Sequence, residues 1–129
     1  MAGITWWRFY FRLFPGAIRG PQVIEFLTHL LAHLPGNLLV IWDGLPAHRS
    51  RLVQHWVGQQ ARLELERLPA YAPELNPVEY LWGYWKQHEL PNFCPKNFAE
   101  LSDHARRALR RMRRRSALVS SFWQQAQLL

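Results

Sequence analysis

The chain has 129 residues, 49% of them apolar and 19% charged, which suits one packed domain and excludes wholesale disorder. A lone Cys94 excludes an internal disulfide and fits a reducing compartment, while seven Trp and seven Phe supply bulky core material. The formal charge is +7, no apolar run approaches a membrane span, and the aromatic start, broken by Arg8 and Arg12, is no secretion signal, so a soluble intracellular protein is expected.

Residues 5–13 alternate, with Trp7, Phe9, Phe11 and Leu13 on one side and Arg8, Tyr10 and Arg12 on the other, the period of a half-buried strand. Pro15-Gly16 ends it. Pro21 then suits the first turn of a helix carrying Val23, Ile24, Leu27, Leu30, Leu31 and Leu34, which Pro35-Gly36 stops. Leu38 to Trp42 is a continuous apolar run ending in Asp43-Gly44, the pattern of a strand buried on both faces. Leu52, Val53, Trp56 and Val57 mark a second helix, and Leu63 and Leu65 alternate with Glu64 and Glu66 in a further strand ending near Leu68-Pro69.

Residues 70–77 read as a loop, followed by a third helix with Val78, Leu81, Trp82 and Trp85 on one face. Asn97 with Glu100 resembles a capping box and opens a final helix over residues 97–115, with Phe98, Leu101, Ala105, Leu109 and Met112 as its apolar stripe. The order is strand, helix, strand, helix, strand, helix, helix: an α/β chain with a mixed or partly parallel sheet.

The charge excess is local. Arg106, Arg107, Arg110, Arg111, Arg113, Arg114 and Arg115 fall together with no acid among them, and the remaining nine basic residues balance nine acidic ones. Such a block is either the footprint of a polyanionic partner or a solvated helix face.

Two acids stand where chemistry is expected. Asp43 directly follows the apolar run, so it lies at the C-terminal end of a central strand, where α/β sheets bind ligands. The alternative for Asp43 is a helix cap or an Asp-Gly turn. Glu79 follows Asn76-Pro77-Val78. Asn76 as N-cap, Pro77 at the first helical position and Glu79 at the third make a sound helix start, in which Glu79 either reaches back to the Asn76 N–H or points its carboxylate out of the helix N-terminus.

Leu39-Val40-Ile41-Trp42-Asp43-Gly44 with Ala47-His48-Arg49-Ser50 resembles the second-aspartate strand of insertion-sequence-630 and mariner-type transposases. The stretch Leu68-Pro69-Ala70-Tyr71-Ala72-Pro73-Glu74-Leu75-Asn76-Pro77-Val78-Glu79-Tyr80-Leu81-Trp82 resembles their third-acid motif, in which Glu79, not Glu74, is the match. The 35 residues between Asp43 and Glu79 suit that group. The resemblance implies a DDE transposase catalytic domain with a ribonuclease-H-like mixed sheet flanked by helices. It also implies Asp43 and Glu79 as catalytic metal ligands for Mg²⁺ or Mn²⁺, in-line displacement at phosphorus, and DNA (transposon ends and target) as partner. His48, Asn76 and Lys86 would line the site, and Arg106 to Arg115 would hold the DNA.

The first aspartate of such a site is missing, since no Asp or Glu precedes Glu25. Residues 1–129 are therefore expected to form one partial catalytic domain lacking its first strand or strands. The missing acid would come from an upstream reading frame joined by frameshifting, or has been lost; the expected protein partner is that upstream transposase segment or a second copy in a homodimer, in the bacterial cytoplasm and at the nucleoid when DNA is bound. Trp7, Phe9 and Phe11 would lose their neighbours. An inactive remnant that only binds nucleic acid non-specifically is the alternative. His29 and His33, four apart, lack a third ligand nearby, and Trp6 and Trp7 are either core residues or base-stacking ones.

Overall fold

The computed structural model describes residues 1–5, 8–69 and 72–126. In chain order it contains β1 (Ala2–Ile4), β2 (Phe9–Phe11), α1 (Gly20–His33), β3 (Leu38–Trp42), α2 (Arg51–Gly58) and β4 (Leu63–Arg67). There follow a 3₁₀ turn (Pro73–Leu75), α3 (Pro77–Tyr84), a π-helical turn (Trp85–Glu89), α4 (Phe98–Arg113) and α5 (Ser116–Gln125). The mixture of helices and small sheets is α/β, as the alternating periodicities predict. Met1 with Gly16–Pro73 forms one compact unit, and the described residues of Ala2–Pro15 and Glu74–Leu129 form a second.

In the first unit, β3 and β4 pair in parallel, with Leu38 opposite Leu63, Val40 opposite Leu65 and Trp42 opposite Arg67. A parallel pair needs a crossover, and α2 supplies it. Helix α1 buries Val23, Phe26, Leu27 and Leu30, one stripe at helical spacing, and Val53 of α2 and Leu63 of β4 are also buried. Strand β3 departs from the expectation of burial on both faces. Leu39 and Ile41 are 57% and 58% exposed, and they sit in register with the exposed Glu64 and Glu66. An apolar run reports affinity for a covered position, but only neighbouring elements provide the cover, and β4 alone is hydrogen-bonded to β3 among the described residues.

Arg62, at the entry to β4, ties this unit together. Its Nε donates to the Gly36 carbonyl at 2.7 Å and its Nη1 to Leu31 at 3.1 Å, and its Nη2 donates to the Leu34 carbonyl. Carbonyls at the end of α1 have no partner within the helix, so the guanidinium satisfies groups that would otherwise be orphaned. Gly36 takes a left-handed φ of 77° in this bend, which favours glycine there. Arg62→Ala is expected to destabilise the unit by about 1–3 kcal/mol, read as a lower urea midpoint. A midpoint unchanged by the substitution would show that water serves those carbonyls equally well.

In the second unit, β1 and β2 form an antiparallel pair with Ile4 opposite Phe9 and Ala2 opposite Phe11. Residues 5–13 are thus not one strand. Thr5 closes a turn, its N–H and its hydroxyl both donating to the Arg8 carbonyl, at 2.7 and 3.1 Å. A threonine that bonds backbone locally competes with ladder pairing. The structure also corrects the expectation that Phe9 and Phe11 lack neighbours: Phe9 is fully buried with Leu81, Leu109, Met112, Val119 and Phe122, and Phe11 is packed against that cluster. Trp6 and Trp7 lie outside the described residues.

Helix α4 starts at Asn97, whose side chain accepts from the Glu100 N–H at 2.9 Å. Glu100 bonds the Lys96 N–H at 2.9 Å rather than that of Asn97, so only half of the expected capping box forms. Helix α5 continues the chain beyond Arg115 and buries Val119 and Phe122; the sequence reading ended before it. Among the described residues no helix is long and apolar enough to cross a membrane.

Candidate functional site

Asp43 leaves the end of β3 in extended chain, before a turn over residues 46–49 that leads into α2. The N-cap of α2 is Ser50, which accepts from the Val53 N–H at 3.3 Å. Asp43 therefore neither caps the helix nor sits in the turn, and the two structural explanations for an acid at this position are not realised.

His48 instead folds back on Asp43. Its ring stacks on Trp42, centroids 4.2 Å apart and planes 6° from parallel. Its Nδ1 lies 2.9 Å from the Asp43 main-chain oxygen and 3.0 Å from Asp43 Oδ1. The ring nitrogen therefore sits between the two oxygens, at nearly the same distance from each. The bond to the main-chain oxygen has the better geometry, and the buried Oδ1 makes no hydrogen bond that satisfies its own geometry, only the 3.0 Å contact with the imidazole. A cavity opens beside this group, with Gln54, Arg49 and Arg67 in its wall as well as Asp43 and His48. The side chain of Arg67 lies so close to Gly44 that a Cβ there would come within 3.0 Å of Arg67 Cδ.

Glu79 occupies the first turn of α3 in the second unit. Asn76 caps this helix by accepting from the Val78 N–H at 3.1 Å, and the Glu79 N–H donates to the Asn76 carbonyl at 3.0 Å. The reciprocal bond from the Glu79 carboxylate to the Asn76 N–H does not form. Among the described residues no hydrogen bond or ion pair engages that exposed carboxylate. The Tyr80 hydroxyl donates to the Glu74 carbonyl at 2.8 Å and pins the preceding turn against α3. Lys86 sits exposed in the π-helical turn that follows α3, so its offset from Glu79 is not that of a regular α-helix.

Asp43 thus belongs to the first unit and Glu79 to the second. Among the described residues no cluster of three or more His, Cys, Asp or Glu is placed to hold a metal ion. His29 and His33 are in ring contact at 4.2 Å, with His33 Nδ1 2.8 Å from the His29 carbonyl oxygen, a local helix arrangement rather than a ligand set. What the two carboxylates offer chemically is hard oxygen donors, the type Mg²⁺ and Mn²⁺ prefer. The Asp43 carboxylate, whose Oδ1 is buried without a well-formed hydrogen bond while the side chain is partly open to solvent, fits a bound cation, and the helix N-terminus favours Glu79 in its ionised form.

The arginine block separates into two groups. Ala105, Ala108, Leu109 and Met112 form the buried stripe of α4, which leaves Arg107, Arg110, Arg111 and Arg114 exposed on the opposite side at spacings of three and four. Of these, Arg107 pairs with Asp103 at 3.2 Å and Arg111 with Glu89 at 2.8 Å. Arg106 is half-buried at the flank of this face. Arg113 lies over the Phe11 ring at 5.8 Å. Arg115 donates to the Tyr84 hydroxyl at 2.8 Å. The stacking of Trp42 on His48 and the approach of Arg67 to Gly44 have no periodic signature, and sequence reasoning did not find them.

A family model described as DDE superfamily endonuclease matches residues 7–102. That stretch contains Asp43, His48 and Glu79 and stops short of the arginine block. No curated protein and no solved structure matches the chain.

Proposed function

The chain belongs to the DDE superfamily endonucleases, and from that premise we propose that it is a transposase segment of the insertion-sequence-630 and mariner type. Its fold would be ribonuclease-H-like, and it would contribute Asp43 and Glu79 to a divalent-metal site for DNA cleavage and strand transfer. The observation that carries this reading is Asp43, a strand-end carboxylate that serves neither cap nor turn and keeps one oxygen buried without a well-formed hydrogen bond. Asp43 and Glu79 would hold divalent ions such as Mg²⁺ or Mn²⁺, which when bound would supply activation of the attacking hydroxyl and stabilisation of the leaving oxygen. Asp43 and Glu79 hold and orient negative oxygen donors, Glu79 from the first turn of α3 and Asp43 from the end of β3.

The third carboxylate is proposed to come from outside these residues. No Asp or Glu precedes Glu25, and Glu25 lies exposed within α1, not at a strand end. The exposed Arg107, Arg110, Arg111 and Arg114 would grip the phosphate backbone of the transposon end or target. Because these arginines lie beyond the matched stretch, a nucleic-acid-binding module without catalysis is the second reading.

The test is Mn²⁺ binding and plasmid nicking by the 129-residue chain and by its Asp43→Asn and Glu79→Gln variants. Each substitution is expected to weaken Mn²⁺ binding by at least about tenfold, since even outer-sphere partners of metal ligands are worth that much. No nicking above background is expected from the chain alone. Mn²⁺ binding that neither substitution alters overturns the assignment. Nicking that both abolish shows a third ligand within residues 1–129.

A further inference from the structure

We infer that His48 is a positioning residue for Asp43, holding the strand end and its carboxylate in one arrangement before a cation arrives. The inference rests on Asp43 being a metal ligand, as proposed above, and adds the group that keeps it in place. Three observations on His48 converge. Its side chain is only 10% exposed, although it lies in a connecting loop. Its ring is stacked flat on Trp42, the residue immediately before Asp43. Its Nδ1 reaches the Asp43 main-chain oxygen at 2.9 Å and stands 3.0 Å from Oδ1.

A carbonyl oxygen only accepts, so Nδ1 must carry a hydrogen, which excludes the tautomer protonated on Nε2 alone. The stack on Trp42 restrains the ring plane, and the turn bond from the His48 N–H to the Leu45 carbonyl at 2.9 Å restrains its backbone. The loop from Asp43 to His48 is thereby closed on itself. Fixing the main chain of Asp43 fixes the direction of its Cα–Cβ bond, and the nearby N–H dipole holds Oδ1 inward. Ordering that a free carboxylate would undergo on binding a cation is already done.

A plain loop staple would also explain the contacts, and it predicts something different: lost stability on removal, with no separate effect on metal binding. Asparagine separates the two, because its side-chain N–H can reach the same acceptors while it lacks the ring that stacks on Trp42.

The full chain and its Asp43→Asn, His48→Ala and His48→Asn variants are titrated with Mn²⁺, following free Mn²⁺ by electron paramagnetic resonance. Urea melts of each are recorded, and the ¹⁵N shifts of the His48 ring in the metal-free wild type. Expected are an Nδ1–H imidazole, Mn²⁺ binding weakened about 10- to 100-fold by His48→Ala, and binding largely restored by His48→Asn although its stability stays reduced. Binding by His48→Ala equal to wild type, with Asp43→Asn defective, overturns the positioning role and leaves the metal site standing. Affinity that follows the urea midpoint through both His48 variants also overturns it, in favour of the staple. An imidazole protonated on Nε2 alone overturns it without reference to any metal. A wild type whose Mn²⁺ binding is indifferent to Asp43→Asn removes the metal reading, and the inference falls with it.

Discussion

Phe122→Ala is expected to unfold the second unit under conditions where the wild-type chain is folded. Phe122 is 1% exposed in the cluster of Phe9, Leu81, Leu109, Met112 and Val119, and its ring meets Tyr84 edge-on with centroids 6.1 Å apart. Truncating a buried phenylalanine costs about 3–5 kcal/mol, from lost burial and from the cavity left behind. Small domains hold only about 5–15 kcal/mol in total. Among the described residues of this unit Phe122 and Phe9 are the fully buried aromatics, so removing one of them takes a large part of that margin. Urea melts followed by far-ultraviolet circular dichroism test this. Phe98→Ala, at a position 46% exposed at the start of α4, is the comparison and should change stability by less than about 1 kcal/mol. Equal effects of the two substitutions would mean that the packing of α5 does not hold this unit together.

The second large effect concerns DNA. Replacing Arg107, Arg110, Arg111 and Arg114 together with glutamine is expected to abolish the salt-sensitive part of duplex binding. If these four each neutralise one phosphate, log K should fall with log salt at a slope of about −3 to −4, an affinity loss of about a hundredfold between roughly 50 and 200 mM salt. The quadruple variant should flatten that slope. Arg113 and Arg115 should behave otherwise, because one lies over Phe11 and the other bonds Tyr84, so their replacement acts mainly on stability. Fluorescence anisotropy with a labelled random-sequence duplex, repeated across salt concentrations, reads both. A slope that survives the quadruple substitution would move the DNA contact elsewhere and leave α4 with a solvated face.

The arginine block shows where reading a sequence stops. Seven arginines without an acid were visible as a charge, and the stripe of Ala105, Leu109 and Met112 gave the helix its phase. Which arginines meet a ring, a hydroxyl or the Glu89 carboxylate depends on elements far off in the chain, namely β2 and the end of α3 with its following turn. Helical phase is a local property, whereas a partner across the core is not.

Strand β3 and the amino-terminal hairpin make the same point. The run Leu38–Trp42 was legible as a strand and Asp43 as the acid at its end, because both follow from local hydrophobicity and its abrupt stop. That Leu39 and Ile41 remain exposed was not legible, since the number of neighbours a strand acquires is written nowhere in its own residues. Of the described residues between 5 and 13 only Phe9–Phe11 pair as strand, because a period of two reports side-chain direction and not which residues find a ladder partner.

The sequence by itself determined the class of fold, the superfamily, the positions of β3, α3 and α4, and the placing of Asp43 and Glu79 at a strand end and a helix start. The elements rest on periodicity and caps, which act within a few residues, and the superfamily rests on the resemblance of two motifs. Only the tertiary structure decided that Glu79 leaves its helix cap unclosed and that Arg62 completes the end of α1. It also decided that His48 stacks on Trp42 and turns its Nδ1 toward Asp43. Side-chain partners are chosen by the free energy of burying and satisfying polar groups in a particular packing, and that choice exists only once the chain is folded.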